Sequence, residues 1–142
     1  TQAFVDTTNP VMLLAKAQQA AERARVLAPD LADAHVALAY LRLIKDWDYK
    51  GADSAFRSVI ERYPRHPMAH KWYGDLLNIV TGPSTAIGEI RMTLSLDPKL
   101  AIAMYNLGYV HALLGGVDEA RVALGERLLA VDLAAKVATT TR

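Results

Sequence analysis

The sequence predicts an all-α fold, an α-solenoid in which antiparallel helix hairpins are stacked in a row. Four apolar-periodic segments end at Pro29, Pro64, Pro98 and Asp132, at spacings of 35, 34 and 34 residues. The positions inside each segment keep the same phase, and 52% of all residues are hydrophobic. A fixed period of this length is typical of stacked hairpins, because one hairpin cannot cover its own apolar stripes and a neighbouring hairpin can.

The first three helices are predicted at about residues 10–28, 31–45 and 51–63. The first begins where Asn9 or Thr8 caps Pro10, since a short polar side chain accepts hydrogen bonds from helix N–H groups and proline suits the first turn. The turn IKDWDYKG joins the second and third helices, as its Asp and Gly content predicts. The repeat holds one extra residue between Arg42 and Ala52, and this turn is where added length costs least.

The remaining helices are predicted at about 67–81, 84–96, 100–114 and 117–131, with Gly82-Pro83 and Gly115-Gly116 as hairpin turns. The chain is therefore expected to form one domain. It comprises a half repeat at 10–30, repeats at about 31–65, 66–99 and 100–133, and a short tail at 134–142. The seventh helix carries an apolar strip formed by Val122, Leu124, Leu128, Leu129 and Val131.

Small residues recur where the two helices of a hairpin should cross. They are Ala39, Gly74 and Gly108 on the first helices and Ala52, Ala86 and Ala120 on the second helices. Larger side chains at a close helix crossing would force the two helices apart.

These positions resemble the tetratricopeptide repeat, whose signature is W-x2-L-G-x2-Y, then A-x3-F, then P, within 34 residues. The resemblance covers about residues 10–132. The chain departs from the signature at the position that usually holds Trp, which is occupied by His35, His70 and Met104, and at the last proline, which is Asp132. The aromatic position of the signature is Phe56 in one repeat, but Ile90 and Leu124 in the other two. The resemblance implies a right-handed superhelix that binds a protein segment in a concave groove.

In that family the first helix of each repeat lines the groove. The same face of the three first helices carries Asp33, Val36, Tyr40 and Leu43, then Met68, Lys71, Asp75 and Asn78, then Ile102, Tyr105, Tyr109 and Ala112. Tyrosines mixed with Lys, Asp and Asn suit a groove that holds apolar side chains and hydrogen-bonds a peptide backbone. The other interpretation is that some of these tyrosines pack against the next repeat.

The best-known peptide site of this family clamps a terminal carboxylate with basic and Asn side chains. Only Lys71 and Asn106 come near that arrangement, and Asp75 lies where it would repel a carboxylate. We therefore expect no carboxylate clamp.

A narrower resemblance involves the segment from Ile44 to Ala52 and the run Ala69-His70-Lys71-Trp72-Tyr73. Both look like repeats of bacterial regulators, where they follow a winged-helix DNA-binding domain or a nucleotide cyclase domain. This resemblance implies a docking or regulatory segment of a larger bacterial signalling protein, with transcription regulation as one expected setting. In Asp46-Trp47-Asp48-Tyr49 an aromatic side chain is expected to plug the hairpin end, the alternative being a binding loop.

Composition and motifs indicate a binding module and no enzyme. The 16 basic and 15 acidic residues give a formal charge of +1, so we expect neither nucleic acid nor a membrane surface as a partner. No cysteine is present, no apolar run approaches the roughly 20 residues of a membrane span, and a cytoplasmic location is expected. No serine lies in a nucleophile motif.

The histidines are expected to be structural. His66 and His70 have the spacing of a helical pair of metal ligands, but Pro67 lies between them and no acidic residue is near in sequence. We therefore expect no metal and no cofactor. His35, His70 and His111 fall at core positions of the repeats, which predicts hydrogen-bonded core or interface histidines.

Two other functions remain open. A small-molecule-sensing domain would require a buried pocket with converging polar groups around Tyr105, Asn106 and Tyr109. A self-association module would use the C-terminal end, residues 117–142, where the apolar strip lacks a full capping helix.

Overall fold

The computed structural model describes residues 9–116, apart from the side chains of Ala101, Met104 and Tyr105. In that part of the chain the regular structure is entirely helical: α1 (Pro10–Leu27), α2 (Ala32–Ile44), α3 (Tyr49–Arg62), α4 (Pro67–Val80), α5 (Pro83–Leu96) and α6 (Ala101–Leu113). These bounds agree with the predicted ones to within two residues. The predicted helix at 117–131, its apolar strip and Ala120 lie outside the described residues.

Local sequence determines where the helices begin. Asn9 Oδ1 accepts a hydrogen bond from the Val11 N–H at 3.0 Å, and Asp48 Oδ1 accepts one from the Gly51 N–H at 2.9 Å. Both side chains satisfy an N–H that lacks a partner within the helix. Prolines occupy the first turns of α1, α4 and α5, where the N–H that proline lacks would have no hydrogen-bond partner within the helix.

The chain divides into two compact units, Thr1–Pro64 and Arg65–Arg142. In the first unit α2 packs against both α1 and α3. Phe56 and the small residues Ala39 and Ala52 are fully or almost fully buried, which agrees with the close hairpin crossing predicted for the two alanines.

The end of α3 is tied to the loop between α1 and α2. The Tyr63 hydroxyl donates to the carbonyl of Asp30 at 3.0 Å, and the Arg62 guanidinium pairs with the Asp30 carboxylate. His35 Nε2 donates to the carbonyl of Pro29 at 2.7 Å, and its ring lies 6.2 Å from that of Tyr63. His35 is therefore a hydrogen-bonded structural histidine, as predicted.

In the second unit α5 packs against α4 and α6. Its core is built from Ala86, Ile90, Leu94, Ala103, Leu107 and Val110. Gly74 of α4 is a point of close approach, because a Cβ atom added there would lie 3.3 Å from Glu89 Cβ and 3.4 Å from Ile90 Cγ1. The prediction of a small residue at this helix crossing is confirmed.

The two aromatic side chains of the turn between α2 and α3 are placed differently. Trp47 is 71% exposed and does not plug the hairpin end, whereas Tyr49 is half-buried, and the edge of one ring meets the other at 6.4 Å between centroids. The Asp48 N–H donates to the Arg42 carbonyl at 3.0 Å while the Asp48 side chain caps α3. The preceding residue consequently adopts φ 53°, in the left-handed region, and its side chain turns outward.

Candidate functional site

Asp75 joins two first helices of the second unit. Lys71 Nζ, one turn earlier on α4, donates to Asp75 Oδ2 at 2.5 Å. Asn106 Nδ2, on α6, donates to Asp75 Oδ1 at 3.0 Å. Residues four apart share one face of a helix, so the sequence places Lys71 beside Asp75 directly. Asn106 comes into reach because α5 reverses the chain and packs against both α4 and α6.

The Lys71 ammonium depends on Asp75 for its counter-charge. The Lys71 side chain is only 10% exposed and the Asp75 side chain 28% exposed. Withdrawing an ammonium from water is unfavourable unless an opposite charge and hydrogen bonds replace its hydration. The three side chains therefore form an electrically balanced polar cluster, called here the Asp75 cluster (Lys71, Asp75 and Asn106).

A cleft of about 370 Å³ lies beside the Asp75 cluster. Its residues are Gly74, Asp75, Asn78, Ile90, Asn106, Tyr109 and Val110. Ile90 and Val110 are almost fully buried beneath the cleft, whereas Tyr109 is 49% exposed and lies beside the polar groups of α4 and α6. The volume is at the lower end of the roughly 300–1,000 Å³ typical of ligand pockets. We call this space the α4–α6 cleft.

The structure sorts the predicted groove residues into three groups. Those at the α4–α6 cleft or in the Asp75 cluster are Lys71, Asp75, Asn78, Asn106 and Tyr109. Ile102 is exposed on α6, while Met68 on α4 and Tyr40 on α2 are half-buried. The side chain of Tyr105 lies outside the described residues.

Val36 and Leu43 form the third group. They were predicted to line the groove, but they are only 1% and 4% exposed. A side chain this deeply buried cannot contact a ligand without repacking, so both belong to the packing of α2. Both positions are apolar, and burial in a packed interface removes their surface from water.

His66 and His70 have separate structural partners. The His66 Nδ1 accepts a hydrogen bond from the Ala69 N–H at 3.2 Å and so caps α4. The His70 Nδ1 lies 2.6 Å from Glu89 Oε2 of α5, and the His70 side chain is almost fully buried. His70 is thus a hydrogen-bonded core histidine, as predicted. Within residues 9–116, no three His, Asp or Glu side chains lie close enough together to hold a metal ion.

A second cleft, of about 690 Å³, lies within the first unit and was not predicted. It is lined from α1 by Glu22 and Arg25, from α2 by His35 and Arg42, and from α3 by Ser58, among others. The sequence signal was the polar stripe at Gln18, Glu22 and Arg25 on α1, with helical spacing of four and three residues. The groove prediction covered only one face of the first helix of each repeat, so it did not include this cleft.

No described helix combines the length and the apolar content needed to cross a bilayer.

Three solved structures show the same fold. The crystal structure of MamA matches with a TM-score of 0.68 and 21% identity, over 92% of this chain and 83% of that one. A second structure, MamA MSR-1 C2, matches with a TM-score of 0.62 and 19% identity, over 87% and 70%. TTC0263, a thermophilic TPR protein in Thermus thermophilus, matches with a TM-score of 0.69 and 16% identity, over 92% and 73%.

These identities are low, so the likeness establishes the fold alone: an all-α helical repeat like that of a TPR protein. No protein-family model matches this chain, and no curated protein sequence matches it.

Proposed function

We propose that this chain is a non-enzymatic scaffold that binds a segment of another protein on the first helices of its repeats. The α4–α6 cleft is the centre of the contact in the second unit. The observation that carries this proposal is a cleft that joins a half-exposed tyrosine to a polar wall on a helical-repeat fold. Tyrosine is enriched in the contacts that dominate protein interfaces.

The exposed side of α6 supports the same function. Ile102, Tyr109 and Leu113 are all large, exposed and spaced seven and four residues apart, which places them along one side of the helix. Single exposed apolar residues are ordinary, but several large apolar residues exposed on one side of a helix beside a cleft are typical of a binding surface.

An open cleft favours a polypeptide over a small molecule. Pockets for small ligands usually enclose most of the ligand surface. Here Tyr109, which lines the cleft, is half-exposed. The convergence of Asp75, Asn78 and Asn106 is the one feature that favours a small-molecule-sensing domain as the second candidate.

The wider role we propose is that of a docking or regulatory domain in a cytoplasmic bacterial signalling protein. Its support is the resemblance of the Ile44 to Ala52 segment to repeats of winged-helix regulators and cyclases. Self-association through residues 117–142 is a further proposal, and those residues lie outside the described part of the chain.

The test compares proteins captured by four tagged chains: wild type, Asn78→Ala, Tyr109→Ala and Met92→Ala. Met92 is a matched control because it is 46% exposed in the same unit but lies on α5. A partner should be retained by the wild type and by Met92→Ala and lost by the other two, with unfolding midpoints nearly unchanged. Equal retention by all four chains, or retention only of small metabolites, would contradict the proposal.

A further inference from the structure

We infer that Asp75 determines which ligands enter the α4–α6 cleft: it excludes carboxylates and leaves a site for an uncharged polypeptide segment with an apolar side chain. This inference rests on the proposed function and specifies the chemistry of the ligand.

The charge of the cleft wall comes from Asp75. Among the described residues that line the cleft, Asp75 is the only acidic or basic residue, and the others are apolar, amide or phenolic. Lys71 is not among these lining residues. A carboxylate that approached the polar wall would therefore meet the Asp75 carboxylate first, and juxtaposed like charges oppose binding.

Asp75 also occupies the groups that would otherwise receive an anion. One carboxylate oxygen accepts from Lys71 at 2.5 Å and the other accepts from Asn106 at 3.0 Å. An ammonium and an amide N–H are the donors that a ligand carboxylate would require. Asp75 is thus an internal carboxylate already bound by both donors.

A cationic ligand is not favoured either. The Asp75 charge is balanced by Lys71, whose side chain is only 10% exposed and so is held in place by its surroundings. A second cation would therefore have to share a carboxylate that Lys71 already neutralises. It would gain less attraction than it would from an unpaired carboxylate.

The remaining chemistry suits a neutral peptide group. Asn side chains carry both a carbonyl oxygen and N–H donors, which complement the N–H and C=O of a peptide bond, and Asn78 and Asn106 both line the cleft. The half-exposed Tyr109 ring supplies the apolar surface against which a side chain such as leucine can pack, while Ile90 and Val110 lie buried beneath the cleft.

The test uses three probes that share a leucine side chain and differ in charge: N-acetylleucinamide (neutral), N-acetylleucine (anionic) and leucinamide. Leucinamide is cationic at pH 6 because an α-amino group has a pKa of about 7.7–8.0. Nuclear magnetic resonance titrations of the isotope-labelled chain follow the side-chain amide signals of Asn78 and Asn106. In the wild type the neutral probe should give saturable shifts, and the two charged probes should bind at least about tenfold more weakly.

The decisive variant is Asp75→Asn, which keeps the side-chain shape and releases the Lys71 charge. It should bind N-acetylleucine at least about tenfold more tightly than the wild type does, with little change for the neutral probe. The control, Asp53→Asn, removes an acidic group of the first unit that pairs with Arg57. It should leave all three titrations unchanged.

Several outcomes would overturn the inference: equal or tighter binding of a charged probe by the wild type, no saturable shift with any probe, or no gain of carboxylate affinity in Asp75→Asn. If Asp75→Asn does not fold, the comparison of the three probes in the wild type still tests whether the cleft prefers a neutral ligand. The proposed function is judged separately, by the loss of a captured protein in Tyr109→Ala.

Discussion

Asn106 and Asp75 lie 31 residues apart on different helices and share a hydrogen bond of 3.0 Å between Asn106 Nδ2 and Asp75 Oδ1. This bond links the first helices of two consecutive repeats at the wall of the α4–α6 cleft. Because Asp75 also holds the nearly buried Lys71, the same carboxylate supports both the packing and the ligand selectivity of this surface.

The first prediction concerns this carboxylate. Asp75→Ala should lower the free energy of unfolding by about 2 kcal/mol, less than the roughly 3–5 kcal/mol typical of a broken buried pair because Asp75 is 28% exposed. Lys71→Met combined with Asp75→Ala should be closer to the wild type, since no unpaired ammonium remains. Urea unfolding of the two chains measures the difference. A double variant that is less stable than Asp75→Ala would refute this account of the cluster.

The second prediction concerns the helix crossing at Gly74. Gly74→Leu should destabilise the chain by about 1–3 kcal/mol, because its Cβ alone would already press against Glu89 and Ile90. Gly88→Ala is the control, since nothing lies within 4 Å of a Cβ at that helical position, and it should stabilise by up to about 1 kcal/mol. Gly108→Leu should also destabilise. Thermal unfolding of the three chains checks this, and a neutral Gly74→Leu would mean that the hairpin phase is wrong.

The third prediction concerns the start of α3. Asp48→Ala removes the side-chain cap on the Gly51 N–H and should cost about 1 kcal/mol. Asp46→Ala, two residues earlier, loses only a surface ion pair with Lys45 and should cost no more than about 0.5 kcal/mol. Equal effects of the two substitutions in urea unfolding would argue against the cap.

The fourth prediction concerns Trp47. A bulky residue in the left-handed region is strained, and this one is largely exposed. Trp47→Gly should therefore raise the free energy of unfolding by up to about 1 kcal/mol. A loss of more than about 1 kcal/mol in urea unfolding would contradict this account, because it would show that the Trp47 ring stabilises the turn.

The sequence predicted most of the fold because helix ends are determined locally. Prolines at residues 10, 67 and 83 and the polar side chain of Asn9 determine where helices begin, independently of distant contacts. The 34-residue period then predicted that Gly74 would lie at a crossing, since a repeated hairpin repeats its close contacts.

The site was less predictable because it depends on contacts that spacing does not determine. Helical periodicity could not separate Val36 and Leu43, which are buried, from Tyr109, which is half-exposed on the corresponding face. A first helix in a solenoid packs against neighbouring helices on more than one side. An apolar residue on its predicted binding face can therefore belong either to the groove or to a packed helix interface. The sequence predicts that Asp75 repels a carboxylate. The hydrogen bond between Asp75 and Asn106 could not be predicted, because it depends on where α4 and α6 lie in space.

The most direct test of the proposed scaffold function is photo-crosslinking in cells from single positions of the second unit. A photoreactive phenylalanine analogue replaces Tyr109 in one chain and Met92, the control on α5, in another. If the first-helix surface binds a protein segment, position 109 should crosslink to a discrete partner protein, with position 92 giving little or none. Crosslinking from position 92 alone, or none from position 109, would contradict the proposal that the α4–α6 cleft is a protein-binding surface.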